Sequence, residues 1–216
     1  MSKNSKKRIV TSIGLFLLIY FAFLNKFVLG YFVLVTGLLS ILEFNLIMNI
    51  ILKNNEYKKF FNNLVFILYI FIFCTIFFIF SNFLYFKILL FMILLTCVAS
   101  DIGGFIFGKT FKGPKLSKIS PNKTISGAIG SLVFSITFIM LLTYYLTKNF
   151  ELSTIILGFI ISISCQLGDL FFSYLKRKSF LKDTGNFLPG HGGILDRVDG
   201  ILLGLPMGFL TLSIIY

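Results

Sequence analysis

The sequence predicts an all-α fold, a polytopic transmembrane bundle of about seven spanning helices, with eight as the alternative and the N-terminus cytoplasmic. Three observations carry this. Of the 216 residues 57% are hydrophobic and only 13% charged, and the mean hydropathy is +0.95, which leaves too little polar surface to cover a water-soluble globule. The apolar residues fall in long runs, and a bilayer core of about 30 Å needs about 20 of them at about 1.5 Å rise each. The 20 basic residues sit in short clusters between those runs rather than in one stripe or tail, which argues against nucleic acid as the partner despite a net charge of +12.

The first run, 9–25, follows Lys3, Lys6, Lys7 and Arg8 as a secretory leader would, yet it continues into Leu24, Asn25 and Lys26 without a small-residue cleavage site. A retained anchor is expected. The second run, 28–52, is long and carries Glu43 and Asn45, so it is either one tilted helix or a helix with a short re-entrant piece. Runs at 60–80, 83–107, 125–147, 152–175 and 200–216 complete the seven. The basic residues before, between and after these runs number 4, 1, 3, 1, 5, 1, 5 and 0. This alternation is what the positive-inside bias produces, and it places the loops 108–124 and 176–199 in the cytoplasm and the C-terminus outside. Cys74, Cys97 and Cys165 lie far apart in apolar stretches without metal-ligand spacing and are expected to be small core residues. With no internal repeat and no Pro- or Ser-rich linker, 1–216 reads as one integral membrane domain, in which 1–100 anchors and 101–204 carries the polar motifs.

Only eight residues are acidic, and four of them, Asp169, Asp183, Asp196 and Asp199, fall within 31 positions. Asp169 sits within or at the end of an apolar helix, where a lone carboxylate costs about 2.5–3.5 kcal/mol unless protein, water or a cation meets it. Two partners suit it, a structural ion pair with Lys176 or Arg177 on the same helix, or a bound cation. Asp196 and Asp199 are three apart, so at the start of a final helix they share a face and, with Asp169, offer oxygen ligands to a hard divalent cation such as Mg²⁺. The alternative is that they merely favour the positive end of the helix dipole. Before them, Pro189-Gly190-His191-Gly192-Gly193 has the backbone freedom to turn N–H groups toward an anion, or simply to turn the chain. Lys176, Arg177, Lys178, Lys182 and Arg197 surround this segment, as a site for a triphosphate and a phospholipid headgroup requires and as ordinary inside-positive loops also show. A second polar island comprises Asp101 at the end of a helix, Gly103, Gly104 and Gly108, and the run Ser120-Pro121-Asn122-Lys123-Thr124 entering the next helix.

At residues 173–199, SYLKRKSFLKDTGNFLPGHGGILDRVD resembles the signature of the phosphatidate cytidylyltransferase (CDP-diglyceride synthetase) family. Ser173, Lys176, Arg177, Lys182, Asp183, Gly185, Leu188, Pro189, His191, Gly192, Gly193, Asp196, Arg197 and Asp199 fall at the family's spacing. Gln166-Leu167-Gly168-Asp169, DIGGFIFGK and SPNKT resemble its other polar stretches, so the resemblance covers about 101–204. Ser126 stands where the family usually has a carboxylate, and the chain is shorter than many members, as if one or two peripheral helices were missing or compressed.

The resemblance implies transfer of CMP from CTP to phosphatidic acid, giving CDP-diacylglycerol and pyrophosphate at the cytoplasmic face of the inner membrane. It implies Mg²⁺ on Asp169, Asp196 and Asp199, with a second cation as an option. Phosphates would be held by Lys176, Arg177, Lys182, His191 and Arg197, with Asp183 in the same catalytic set. Asp101, Lys123, Ser173, Gly192 and Gly193 are the expected binding residues. CTP, phosphatidic acid and the bilayer are the expected partners, and a homodimer is compatible with the exposed apolar helices. The competing readings are another CTP-dependent lipid enzyme, such as a CDP-archaeol-type synthase or a polyprenol kinase, and more distantly an ion-coupled transporter using Asp101 and Asp169.

Overall fold

Several helices start where the sequence supplies a cap, at Asn25, Asn55 and Thr124, or stop at a reversal of backbone hand, at Lys112 and Lys148. In a computed structural model the chain is described at residues 14, 17–117, 119–121, 123–185, 187 and 192–215. Helix α1, described over 17–24, ends at Asn25, whose side chain accepts from the Phe27 N–H at 2.9 Å and so opens α2, Lys26–Ile51. Then follow α3 (Glu56–Ser81), α4 (Leu84–Phe111), α5 (Ile125–Thr147), α6 (Ser153–Lys178) and α7 (Leu195–Ile215). Among the described residues six helices, α2 to α7, are long and apolar enough to cross a membrane. The protein is a multi-pass helical membrane bundle. The expected first run, 9–25, lies partly outside the described residues.

The chain forms two units, Met1–Leu84 with Leu175–Val198, and Tyr85–Tyr174 with Asp199–Tyr216. In the first, α2 is one unbroken helix of 26 residues, which excludes the re-entrant alternative for 28–52. Leu29, Val33, Gly37, Ser40, Glu43, Phe44 and Ile47 recur at helical spacing as its buried side. Asn55 caps α3 through the Lys58 N–H at 3.0 Å, and the short connection returns α3 along α2. There Phe44 stacks on Phe66 with ring centroids 3.9 Å apart, and Asn63 donates to Asn45 at 2.7 Å.

In the second unit the helices approach through small residues, the device of helices that lipid surrounds. A Cβ on Gly130 of α5 would lie 2.7 Å from the Gly103 carbonyl oxygen of α4, so a glycine is required for that contact. Ser100 of α4 and Ser162 of α6 share a hydrogen bond of 3.0 Å, and Ser135 of α5 donates to the Gly158 carbonyl of α6 at 2.8 Å. The 112–124 connection folds on itself, Leu116 N–H donating to the Lys123 carbonyl at 2.8 Å and Ile125 N–H to the Pro114 carbonyl at 3.0 Å. Thr124 then caps α5 by accepting from the Gly127 N–H at 3.1 Å.

Three expectations shift. Helix α4 continues to Phe111, so Asp101 lies well inside it and not at its end. Helix α6 continues to Lys178, so Lys176, Arg177 and Lys178 form its last turn, where cations complement the helix dipole. Helix α7 begins at Leu195, five residues before the expected 200. Replacing Gly130 by Ala is expected to cost about 1–3 kcal/mol through overpacking against α4. A lowered thermal midpoint of the detergent-solubilised protein reads this out, and an unchanged midpoint would show that α4 and α5 do not approach so closely.

Candidate active site

Helical spacing gathers the polar side chains of the second unit around one cavity of about 430 Å³. Asp101, Gly104, Phe105, Gly108 and Lys109 line it from α4, at the i, i+3, i+4, i+7, i+8 positions of a single helix side. The start of α5 contributes Thr124, Gly127, Ala128 and Ser131, and α6 contributes Gln166 and Asp169. Lys123 reaches the wall from the loop before α5, and its Nζ pairs with Asp169 Oδ2. Both side chains keep some solvent contact, 27% and 31% exposed, so this pair can exchange partners. Gln166 is held by its amide, which donates at 3.2 Å to the Ala128 carbonyl and at 3.2 Å to Ser162 Oγ. Ser126, where the resembled family usually has a carboxylate, donates instead to the Lys112 carbonyl and shares a 3.0 Å hydrogen bond with Thr124 Oγ1.

The partner of Asp169 corrects the sequence reading. Of the two partners that the sequence allows Asp169, a bound cation or an ion pair with Lys176 or Arg177, the ion pair is not formed with either; the observed one is with Lys123, 46 positions away. Lys176 is committed elsewhere. In the first unit its Nζ lies 2.6 Å from Asp196 Oδ1, both side chains being largely buried, 15% and 8% exposed. Asp196 Oδ2 accepts from the Thr184 N–H at 2.8 Å and the Gly193 N–H at 3.1 Å.

Of the glycine segment, Gly193 turns its N–H toward an anion, which is the chain's own, and the two residues after it do the same. Gly193 donates to Asp196, while Ile194 and Leu195 donate to Glu43 Oε1 and Oε2 at 2.9 and 2.8 Å. Glu43 also accepts from Thr184 Oγ1 at 2.6 Å and is fully buried. Sequence reading noted Glu43 and gave it no role in the site. The available signal was a single carboxylate inside an apolar run, but its partners lie 141 to 152 positions on.

The other expected residues are placed as follows. Arg177, Lys182, Asp183 and Arg197 are exposed in the first unit, and Gly192, with φ +83°, sits against Asp183 and Asp196. Ser173 is half-buried on α6, one turn beyond Asp169. Asp199 accepts from the Gly200 N–H at 2.9 Å, and Gly168 of α6 packs on its carbonyl. Pro189, Gly190 and His191 lie outside the described residues.

Among the described residues no group of three or more His, Cys, Asp and Glu side chains is gathered for a metal ion. The donor chemistry nevertheless suits a hard cation, because Asp101 and Asp169 present carboxylates to one cavity and Asp169 is held by a single exchangeable lysine. Asp196 is less available, since three donors already occupy its two oxygens.

The sequence matches the model of the Cytidylyltransferase family over residues 1–215. Similar curated proteins include the phosphatidate cytidylyltransferase of Mycobacterium leprae (strain TN), 39% identical over 124 residues that make up 57% of this chain and 40% of the relative. That of Rickettsia bellii (strain RML369-C) is 46% identical over 117 residues, 50% of this chain and 51% of the relative. That of Helicobacter pylori (strain J99 / ATCC 700824) is 42% identical over 113 residues, 52% of this chain and 42% of the relative. The chain thus spans about half the length of the curated relatives it matches. With the match running through every helix described above, this chain belongs to the cytidylyltransferase family.

Proposed function

We propose that this chain is a CTP:phosphatidate cytidylyltransferase, a nucleotidyltransferase of phospholipid biosynthesis that moves CMP from CTP to phosphatidic acid and releases pyrophosphate. The observation that carries the reading is the cavity of about 430 Å³ whose wall joins Asp101 and Asp169 with Lys109 and Lys123, in a membrane bundle of this family. That its relatives from Mycobacterium leprae and Rickettsia bellii are phosphatidate cytidylyltransferases supports the choice of CTP and phosphatidate as substrates.

In the proposed reaction a phosphate oxygen of phosphatidic acid attacks the α-phosphorus of CTP, and the bond from that phosphorus to the bridging oxygen of pyrophosphate breaks. No side chain need form a covalent bond. The protein's task is to bring two polyanions together and to hold their oxygens in line. Lys123 leaves Asp169 for a phosphate, and Lys109 adds a second ammonium on the same wall. Arg177, Lys182, His191 and Arg197 hold phosphates, Lys176 adds its charge while it stays paired with Asp196, and Asp183, Ser173, Gly192 and Gly193 make supporting contacts. Asp169, Asp196 and Asp199 are the proposed Mg²⁺ ligands, and the exchangeable bond from Lys123 makes Asp169 the readiest of them. Bound there, with or without a second cation, Mg²⁺ would neutralise charge on the transferring and leaving phosphates.

The charge alternation of the loops supports a cytoplasmic N-terminus and an active site facing the cytoplasm, in the cell's inner membrane. Phosphatidic acid keeps its acyl chains in the bilayer, so the enzyme has to be embedded to meet the headgroup. A homodimer is the proposed assembly, resting on the exposed apolar helix faces.

CTP labelled at the α-phosphate, given to the detergent-purified chain with phosphatidic acid, is expected to label the lipid only when Mg²⁺ is present, with one pyrophosphate per lipid. Label transfer to another lipid acceptor alone, or release of CDP, would replace the reading with one of the related CTP-dependent enzymes. Asp169→Asn is expected to lower turnover about 100-fold or more at saturating Mg²⁺. Asp196→Asn should do likewise, and near-normal turnover in either variant would remove that residue from the metal assignment.

A further inference from the structure

We infer that Glu43 is a positioning residue for the reaction proposed above, setting the first turn of α7 and through it Asp196, and the inference rests on that reading. The start of α7 has a capping problem. Its first backbone N–H groups have no partner within the helix, and the residues at the entry, Ile194 and Leu195, have side chains that cannot accept a hydrogen bond. Both N–H groups are instead taken by Glu43 of α2, at 2.9 and 2.8 Å, from 151 and 152 positions earlier in the chain.

The third donor is what ties this cap to the site. Thr184 Oγ1 donates to Glu43 Oε2 at 2.6 Å, while the N–H of the same Thr184 donates to Asp196 Oδ2 at 2.8 Å. One residue therefore bridges the two carboxylates. Asp196 is further fixed by Gly193, where a Cβ would come within 2.5 Å of Glu43 Oε2, so only glycine allows the loop to close on the carboxylate. An apolar helix carries a buried carboxylate at some cost, and a fully buried one met by two N–H groups and one hydroxyl has an acceptor-only group where three donors converge. A neutral amide has the same size but only one acceptor atom, so it leaves one of the three donors facing its NH₂ group. The charge also complements the positive end of α7.

The test uses the full chain in detergent with phosphatidic acid, CTP and Mg²⁺, comparing wild type with Glu43→Gln and Thr184→Val. Glu43→Gln is expected to lower kcat about tenfold or more and to shift the Mg²⁺ activation curve to higher concentration, with KM for CTP changed less than kcat. Amide exchange over 184–185 and 192–195 is expected to quicken in the same variant under conditions where its thermal midpoint shows it folded. Thr184→Val, which keeps the backbone N–H to Asp196, is expected to show the same pattern to a smaller degree, and it decides the matter if Glu43→Gln does not fold. Unchanged exchange, or a kcat that falls only as the folded fraction falls, with the Mg²⁺ curve in place, would overturn the inference. Failure of the wild type to label phosphatidic acid would instead sink the proposed reaction. The amide exchange would then still report whether Glu43 holds the α7 turn.

Discussion

A carboxylate set in an apolar helix has to find its donors within the protein, and the polar architecture of this chain follows from how three of them do so. Glu43 takes two backbone N–H groups and a hydroxyl; Asp196 takes an ammonium and two backbone N–H groups; Asp169 takes one lysine. Lipid offers no such donors, so each acid draws in a segment from elsewhere in the sequence. The loop after α6 is shaped by that demand. Thr184, Gly193, Ile194 and Leu195 arrive as donors for Glu43 and Asp196, and the start of α7 is capped by the same act.

Helix contact here cannot rely on the hydrophobic effect, because lipid chains are as apolar as the side chains that would otherwise be buried. Close approach and hydrogen bonding take its place. Gly103 and Gly130 let α4 and α5 touch backbone to backbone, and Ser100, Ser135 and Ser162 bond across α4, α5 and α6. Other small residues on the same helices leave a cavity open. Gly104, Gly108 and Gly127 lie on the cavity wall, where larger side chains would fill the space.

Much of the helix layout was legible in the sequence, because a hydropathy run is a local signal. Glycines and polar clusters also marked 101–124 and 166–199 as the chemically loaded segments. The misplaced boundaries share a cause. Lys109 and the trio Lys176, Arg177 and Lys178 end a hydropathy run, yet a cation in the last helical turn is favourable and its long stem follows the helix, so α4 and α6 continue past the point where apolarity stops. Pairings were harder to see than segments. Lys176 lies within two turns of Asp169 on one helix, so helical spacing suggested their pairing, while the observed partners, Lys123 for Asp169 and Asp196 for Lys176, are set by tertiary packing. Glu43 was visible as an oddity and unreadable as a cap for the same reason.

The two ion pairs differ in a way that bears on which can respond to a substrate. Asp196 and Lys176 are nearly dry, and the carboxylate holds two backbone N–H groups besides the ammonium, so separating them would strand a buried charge. Asp169 and Lys123 are wetter, share one contact and open onto a cavity. In the reaction proposed above, a phosphate would compete with Asp169 for Lys123 at little desolvation cost, and the freed carboxylate would be an oxygen donor for a hard cation. On this argument the Lys123–Asp169 pair of the second unit is the one built to change partners, and the Glu43–Thr184–Asp196 cluster of the first unit is the one built to keep its geometry.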